Sequence, residues 1–181
     1  MPLLRGDGVF LRPLEEGDLE RSHEWFLNPG IYVTMGVYAP RSMEEHRRWY
    51  RDLVGSRTNR VFAVCTTVDD VHIGNCSLFD IDHRNANAGL TIFIADEERR
   101  GKAFGSEAVS LLCGYALEYL NLHRIAAKTD NPVAARVYER LGFQLEGTLR
   151  GSSFQGGRYV DKYLYALLRD EFTPFVGHAA A

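Results

Sequence analysis

The chain has 181 residues, of which 45% are apolar and 25% charged, and its formal net charge is −3. That length and balance suit one globular domain with a substantial core, and the lack of any run of about eighteen apolar residues argues against a membrane span. The negative balance argues against nucleic acid as the main partner, since phosphate contacts need a basic excess.

Taken in chain order, segment 8–14 (GVFLRPL) reads as a strand. Segment 16–28 reads as a helix with Leu19, His23, Phe26 and Leu27 on or near one face, ended by Asn28-Pro29-Gly30. Ser42 followed three residues later by Glu45 is a capping box, so a helix is predicted from there to about Val54. Strands follow near 60–68, 71–80 and 88–95. The first of these alternates imperfectly (VFAVCTTV), which suits a strand covered on both faces. A helix runs to about Leu120, with Phe104, Ala108, Leu111, Leu112, Tyr115 and Tyr119 in helical period. A strand at 123–129 leads to a helix capped by Asn131, with Pro132 in its first turn and Gly142 as a left-handed stop. Segments 143–152 and 158–168 read as long strands joined at Gln155-Gly156-Gly157.

The order β-α-α-β-β-β-α-β-α-β-β predicts an α/β (α+β) domain built on one mixed sheet with helices packed against it. Residues 1–176 read as that single domain and 177–181 as a frayed tail. Cys65, Cys76 and Cys113 are odd in number and form no C-x-x-C, so no disulfide scaffold or metal site is expected, and all three read as buried. The first residues lack the apolar stretch of a signal peptide, and a reducing cytoplasm is expected.

The stretch IFIADEERRGKAFGSEAV (92–109) carries the first chemical signal. A strand passes through Arg99-Arg100-Gly101-Lys102-Ala103-Phe104-Gly105 into a helix. Helix N-termini expose unpaired amides and a partial positive charge, glycines permit close approach, and arginine and lysine add charge. Together these features suit a phosphate or pyrophosphate seat. A glycine turn with a solvated basic patch fits the same residues. A P-loop is excluded because no G-K-[ST] occurs, and a dinucleotide fold fails because the next strand ends Ala126-Ala127-Lys128 with no acid.

The second signal is DNPVAARVYERLGF (130–143), directly after the next strand. Together the two stretches resemble the GNAT superfamily of acetyl-CoA-dependent N-acetyltransferases. Its phosphate loop, [RQ]-x-x-G-x-[GA], is matched at Arg100, Gly101, Lys102, Phe104 and Gly105, while Ala103 stands where a glycine is usual. Its N-x-x-A-x-x-x-Y-x-x-x-G-F pattern is matched at Asn131, Ala134, Tyr138, Gly142 and Phe143. The segment EGTLRGSSFQGGRYVDKYLYALL is similar to the Rim-type ribosomal-protein N-terminal acetyltransferases and the bacterial spermidine acetyltransferases. The resemblance implies a single-domain GNAT-like fold, with a mostly antiparallel sheet of about seven strands flanked by about four helices.

It also implies acetyl-CoA as donor and no metal. The pyrophosphate is expected on amides from about Arg100 to Ser106, with Arg99 and Lys102 adding charge. The pantetheine arm is expected beside Phe93, Ile94 and Ala95, like an added strand, with Asn131 and Ala134 contacting the cofactor from the neighbouring helix start. Tyr138 is the candidate partner for the leaving thiolate; its alternative role is packing with Ala134 and Leu141. Ala103 is expected to be tolerated, and would threaten binding only if the position needs a positive φ.

Transfer is expected to be direct, onto a primary amine. A protein or peptide N-terminus is the first choice, then an amino sugar, polyamine or antibiotic amine. An α-amine is about one-tenth neutral at pH 7 and a lysine amine less than about a thousandth, so an α-amine demands less of a base. Glu97, Asp80, Asp82, His83 and Glu24 are candidate bases that no motif separates. Acceptor specificity is expected from the first two helices and the last hairpin. Residues 46–53 (HRRWYRDL) either line that pocket or form a core face with solvated arginines, the periodicity favouring the core. Spermidine enzymes typically carry an acid where this chain has NAGLT (87–91), which lowers the polyamine reading. A monomer or homodimer is expected. The alternative class is a non-catalytic acyl-CoA-binding domain; phosphotransfer lacks both its loop and its metal carboxylates.

Overall fold

The computed structural model describes residues 4–28, 31, 39–99 and 101–175. Their backbone builds one eight-stranded sheet. β1 (Leu4–Arg5) and β2 (Val9–Pro13) are followed by a 3-10 turn (Glu16–Asp18), α1 (Leu19–Trp25) and α2 (Met43–Val54). Then come β3 (Arg60–Thr66), β4 (His72–Asp82), β5 (Asn87–Ile94), α3 (Phe104–Gly114), β6 (Arg124–Thr129), α4 (Pro132–Arg140), β7 (Gln144–Gln155) and β8 (Arg158–Leu168). The sheet order is β1-β2-β3-β4-β5-β6-β8-β7, and every neighbouring pair is antiparallel except β5 with β6.

The imperfect alternation of β3 has its cause in two cores. Phe62 and Val64 face the main core with Val9 and Leu11 of β2, while Ala63 and Cys65 face a second core with Phe10 and Leu14, against which Trp49 and Tyr50 of α2 pack. α3 carries the main core from the opposite face: Ala108, Val109, Leu112 and Cys113 are all fully buried. Both faces of the central strands are covered, so a simple apolar-polar period never appears.

The predicted caps are present. Ser42 Oγ accepts from the Glu45 amide, and the Glu45 carboxylate accepts from the Ser42 amide (2.8 Å). Asn131 Oδ1 accepts from the Val133 amide (2.8 Å), and Gly142 has a φ of 98°. Gly156 and Gly157 carry φ values of 55° and 82°, as a two-residue hairpin turn requires.

The expected mixed, mostly antiparallel sheet flanked by helices is present, and its eight strands include Leu4–Arg5, which pairs with Phe10 and Leu11 and is too short for periodicity to reveal. Two expectations need correction. The predicted 16–28 helix opens as a 3-10 turn and leaves Leu27 exposed, outside the buried face of Leu19 and Phe26. The helix predicted to run to Leu120 stops being α-helical at Gly114; a π turn spans Tyr115–Tyr119, closed by the Leu120 amide on the Tyr115 carbonyl (3.2 Å). The wider turn breaks the helical phase and leaves Tyr119 exposed. Pro29-Gly30 and the tail 177–181 lie outside the described residues. Among the described residues no helix is long and apolar enough to cross a membrane.

Candidate functional site

The junction between β5 and α3 is a bare helix start. The first hydrogen bond of α3 runs from the Glu107 amide to the Ala103 carbonyl (3.0 Å), so the amides of Phe104, Gly105 and Ser106 lie ahead of the helical ladder. Ala103, the N-cap residue, contributes no side-chain cap. Gly101 has a φ of 79°, and Ala103 has a φ of 62°, in the left-handed region. The position where glycine is usual does therefore use a positive φ, and this chain fills it with a residue for which that conformation costs about 1 kcal/mol.

Glu107 anchors this loop from below. Its carboxylate accepts from the amides of Asp7 (2.5 Å), Gly8 (3.1 Å) and Val9 (3.2 Å), fastening the β1–β2 turn to the first turn of α3. The fit is close enough that a Cβ on Gly6 would fall 2.1 Å from Glu107 Oε1.

The predicted basic residues separate in space. Lys102 is exposed. Arg99 is committed elsewhere: its guanidinium forks onto Asp69 (2.6 and 3.1 Å) and reaches Asp96 (3.2 Å), pulling the Asp69 carboxyl down to about 2. Arg100 and the Glu97 side chain lie outside the described residues.

Next to the loop the sheet opens. β5 and β6 pair only at Asn87–Arg124, Ala88–Ile125 and Gly89–Ala126, after which the two strands part. β6 stays paired with β8 to Thr129, so the opening lies on the β5 side. The Ala95 and Asp96 amides both donate to the Ile73 carbonyl of β4 (2.8 and 3.3 Å). Peptide groups alternate sides along a strand, so Phe93, in phase with Ala95, also turns its amide to β4 and Ile94 turns toward the gap.

α4 brings Tyr138 into the main core, where it is 4% exposed against Phe143 (5.2 Å between ring centroids) and Tyr165 (5.9 Å). Among the described residues its hydroxyl meets no hydrogen-bond partner. Burial pushes its pKa up to about 12, so it stays a donor at any physiological pH. Asn131 is exposed, with its side-chain oxygen used as the helix cap, and Ala134 is half-buried against the core.

On the other face of the sheet, under α1 and α2, lies a pocket of about 220 Å³. Phe26, Trp49, Leu53 and Val61 form its apolar wall, and Asn75, Ser77, Thr91 and Phe93 its sheet wall. Both readings of residues 46–53 hold at once: His46 is fully buried while Trp49 and Leu53 line the pocket, and Arg47, Arg48 and Arg51 are exposed. His46 stacks on Trp49 (4.9 Å) and bonds Ser22 Oγ (2.8 Å); burial, with His23 and Arg41 nearby, lowers its pKa to about 4. Arg41 stands at the pocket with its guanidinium 5.1 Å from the Phe26 ring centroid.

None of the predicted candidate bases lines this pocket among the described residues. Asp80 sits in a strand irregularity at a φ of 51°, and the Asp82 carboxylate is taken up by the amides of Arg84 and Asn85. Asp80, His83 and Glu24 are exposed. The polar pocket residues Asn75, Ser77 and Thr91 were not singled out from sequence. Their signal was present as polar residues at alternate positions of strands covered on both faces.

The family description "Acetyltransferase (GNAT) domain" matches residues 9–144. The chain is 30% identical to the N-acetyltransferase p20 of Bacillus licheniformis over 95% of this chain and 99% of that protein. It is 29% identical, over 91% and 93% of the two chains, to YdaF of Bacillus subtilis, whose name gives ribosomal N-acetylation as its inferred role. Among solved structures, the Vibrio cholerae spermidine N-acetyltransferase in complex with CoA and spermine superposes with a TM-score of 0.84 at 30% identity, covering 90% of this chain and 96% of that one.

Proposed function

The chain belongs to the GNAT acetyltransferase family, and from that premise we propose that it moves the acetyl group of acetyl-CoA directly onto the α-amine of a peptide or protein N-terminus. The observation that carries the choice of acceptor is the pocket under α1 and α2, which has no carboxylate among its described lining residues and an arginine at its edge.

Two consequences follow from that chemistry. A polyamine brings several ammonium charges, and a pocket with Arg41 and no acid gives them nothing to pair with. The sequence reinforces this point: no aspartate or glutamate occurs between Glu24 and Glu44, the whole connection from α1 to α2. Without a carboxylate at hand, the enzyme also needs an acceptor that is already partly neutral. An α-amine, about one-tenth neutral at pH 7, meets that need where a lysine amine does not. Arg41 suits the peptide carbonyl or carboxylate that accompanies an α-amine, and the aromatic wall of Phe26, Trp49 and Phe93 suits an apolar first side chain.

The donor half fits the fold as built. The amides of Phe104, Gly105 and Ser106, outside the helical ladder, suit a diphosphate at the positive end of α3. The opening between β5 and β6 suits an extended arm lying along β5 at Phe93 and Ile94. Bound acetyl-CoA supplies the thioester. A strand amide in the gap polarises its carbonyl oxygen as negative charge develops there. Tyr138 donates a hydrogen bond to the departing sulfur. With its pKa at about 12 against about 8.5 for a thiol, full proton transfer would be uphill by about 5 kcal/mol, so hydrogen bonding is the role assigned to it. The three cysteines are free and buried, and burial raises each thiol pKa, which disfavours an acyl-enzyme and suits a reducing cytoplasm.

The test is thiol release with acetyl-CoA against a panel of short peptides, amino sugars and polyamines, with mass spectrometry of the products. Peptide α-acetylation is the expected result. Preference for spermidine or spermine would overturn the acceptor assignment. A thermal shift with acetyl-CoA and no acceptor-dependent thiol would mark a binding domain instead.

A further inference from the structure

β4 carries an extra residue beside the pocket. Side chains alternate faces along a strand, so His72 and Asn75, an odd number of residues apart, belong on opposite faces. The pairing with β3 shifts between them: Gly74 sits opposite Val64 and His72 opposite Cys65, which leaves Ile73 unmatched as a bulge. The bulge reverses the alternation. Asn75 then sits opposite Ala63 and His72 opposite Cys65, two residues of the second core, and His72 Nε2 lies 2.8 Å from Asn75 Oδ1. Gly74 permits this path, since a Cβ there would fall 2.1 Å from the Phe93 carbonyl oxygen.

The oxygen of an asparagine amide only accepts and its NH₂ only donates. With Oδ1 against the ring, His72 donates from Nε2 and the Asn75 NH₂ points away from it. Asp18 does not compete for the ring. Its carboxylate already accepts from Arg12 (both bonds 2.7 Å) and from the Glu15 amide (2.8 Å), and His72 Nδ1, 3.6 Å away, has no hydrogen-bond partner. Burial lowers the His72 pKa, and a neutral ring with its proton on Nε2 matches both contacts. The Trp25 ring meets His72 edge-on at 4.8 Å, and Arg21 Nε donates to the His72 carbonyl (2.7 Å), so the ring is held in place. Asn75 is 4% exposed and lines the pocket. Its Nδ2 has no hydrogen-bond partner among the described residues, yet unlike His46 Nδ1 and His72 Nδ1 it is not sealed in. The little surface that Asn75 shows is therefore an unpaired donor, and it opens on the pocket.

A carbonyl oxygen is the group that satisfies such a donor. Asn75 pairs across the strands with Phe93, about 4.8 Å away at the usual strand spacing, and Phe93 is where the acetyl-bearing arm is placed above. In a peptide, the nearest polar group to the α-amine is the carbonyl of the same residue; an alkylamine or polyamine has none. We propose that Asn75, held by His72 with its NH₂ toward the pocket, donates to the carbonyl oxygen of the acceptor's first residue and thereby selects carbonyl-bearing α-amines. Asn75 is the substrate-contacting residue and His72 a positioning residue. This inference rests on the pocket being the amine site and on the peptide α-amine as acceptor.

The kinetic test compares leucinamide with isopentylamine, the same amine without its carboxamide. Asn75→Asp keeps an oxygen for His72 Nε2–H and replaces only the outward NH₂. It is expected to lower kcat/KM for leucinamide by about tenfold, with isopentylamine and the KM for acetyl-CoA within about threefold of wild type. The different basicities of the two amines enter both enzymes equally and cancel. Asn75→Leu is expected to give the same loss of preference and serves where Asn75→Asp does not fold. An unchanged preference, or an equal fall for both amines, would overturn the proposal. A measurement on the wild-type protein needs no variant: long-range proton–nitrogen NMR of the His72 ring is expected to show the Nε2–H tautomer at neutral pH. A proton on Nδ1 with Nε2 bare would turn the Asn75 NH₂ to the ring and overturn the proposal. Polyamines acetylated by the wild type, with leucinamide and peptides untouched, would overturn the acceptor reading itself; peptide acetylation with an unchanged preference in the variants would overturn this inference alone.

Discussion

The two halves of the proposed site are built from different materials. The donor half, from β5 through the loop into α3, offers main-chain amides and a gap between strands. The acceptor half offers side chains drawn from α1, α2, β3, β4 and β5, and from Arg41 before α2. A main-chain site survives substitution wherever the backbone path is kept, which is how Ala103 can occupy a position where glycine is usual. A side-chain site changes with every residue on its wall, so relatives that share the donor half need not share an acceptor.

Removal of the strut under the donor half should have the largest effect. Glu107→Ala leaves three amides without their acceptor and is expected to lower stability by about 2–3 kcal/mol, a fall in Tm of roughly 5–10 °C, with weaker acetyl-CoA binding. Calorimetric melting and titration with acetyl-CoA check it; an unchanged melt would mean the loop holds itself. Next in size, Tyr138→Phe is expected to lower turnover by about tenfold or more while leaving acetyl-CoA affinity nearly unchanged. Equal steady-state rates would remove Tyr138 from the mechanism. On the acceptor side, Arg41→Ala should raise the KM of a peptide acceptor by about five- to tenfold without changing that for acetyl-CoA. If both constants moved together, the division into two halves would break.

Smaller effects sharpen the same division. His46 is neutral in the folded protein down to about pH 4, whereas an unfolded chain takes up the proton near pH 6.5. The folded pKa is the lower one, so this stabilisation is complete above pH 6.5 and is lost as pH falls toward 4. His46→Gln should flatten the fall in Tm across that window by roughly 5 °C; a slope equal to wild type would show that other groups govern it. Ala103→Gly should do least. Relief of about 1 kcal/mol of left-handed strain is offset by the greater freedom of glycine in the unfolded chain, so Tm should stay within about 2 °C and acetyl-CoA affinity within about threefold. A tenfold gain in affinity would show instead that the alanine methyl obstructs the ligand.

The local structure of the proposed donor half was legible because its parts are local. A cap residue, a glycine at a forced φ and a tyrosine seven residues after a cap are features of short stretches, and Ser42, Asn131, Gly142 and the loop at 101–106 sit where the sequence predicts. Arg99 shows the limit of that reading: its charge was visible, but Asp69, thirty residues away, takes it up. The five candidate bases show a second limit. Carboxylates are easy to find in a sequence, and among the described residues none of them reaches the pocket.

From the amino-acid order alone came the family, the succession of strands and helices, the glycine turn into α3 and the cap of α4, because each is written in residues within a turn or two of one another. Folding alone decided that Ala103 takes a left-handed turn, that the pocket under α1 and α2 carries an arginine and no described acid, and that Asn75, Ser77 and Thr91 meet Trp49 and Leu53 there. Those facts depend on which distant segments share a sheet face, and strand pairing sets that over separations no local pattern records.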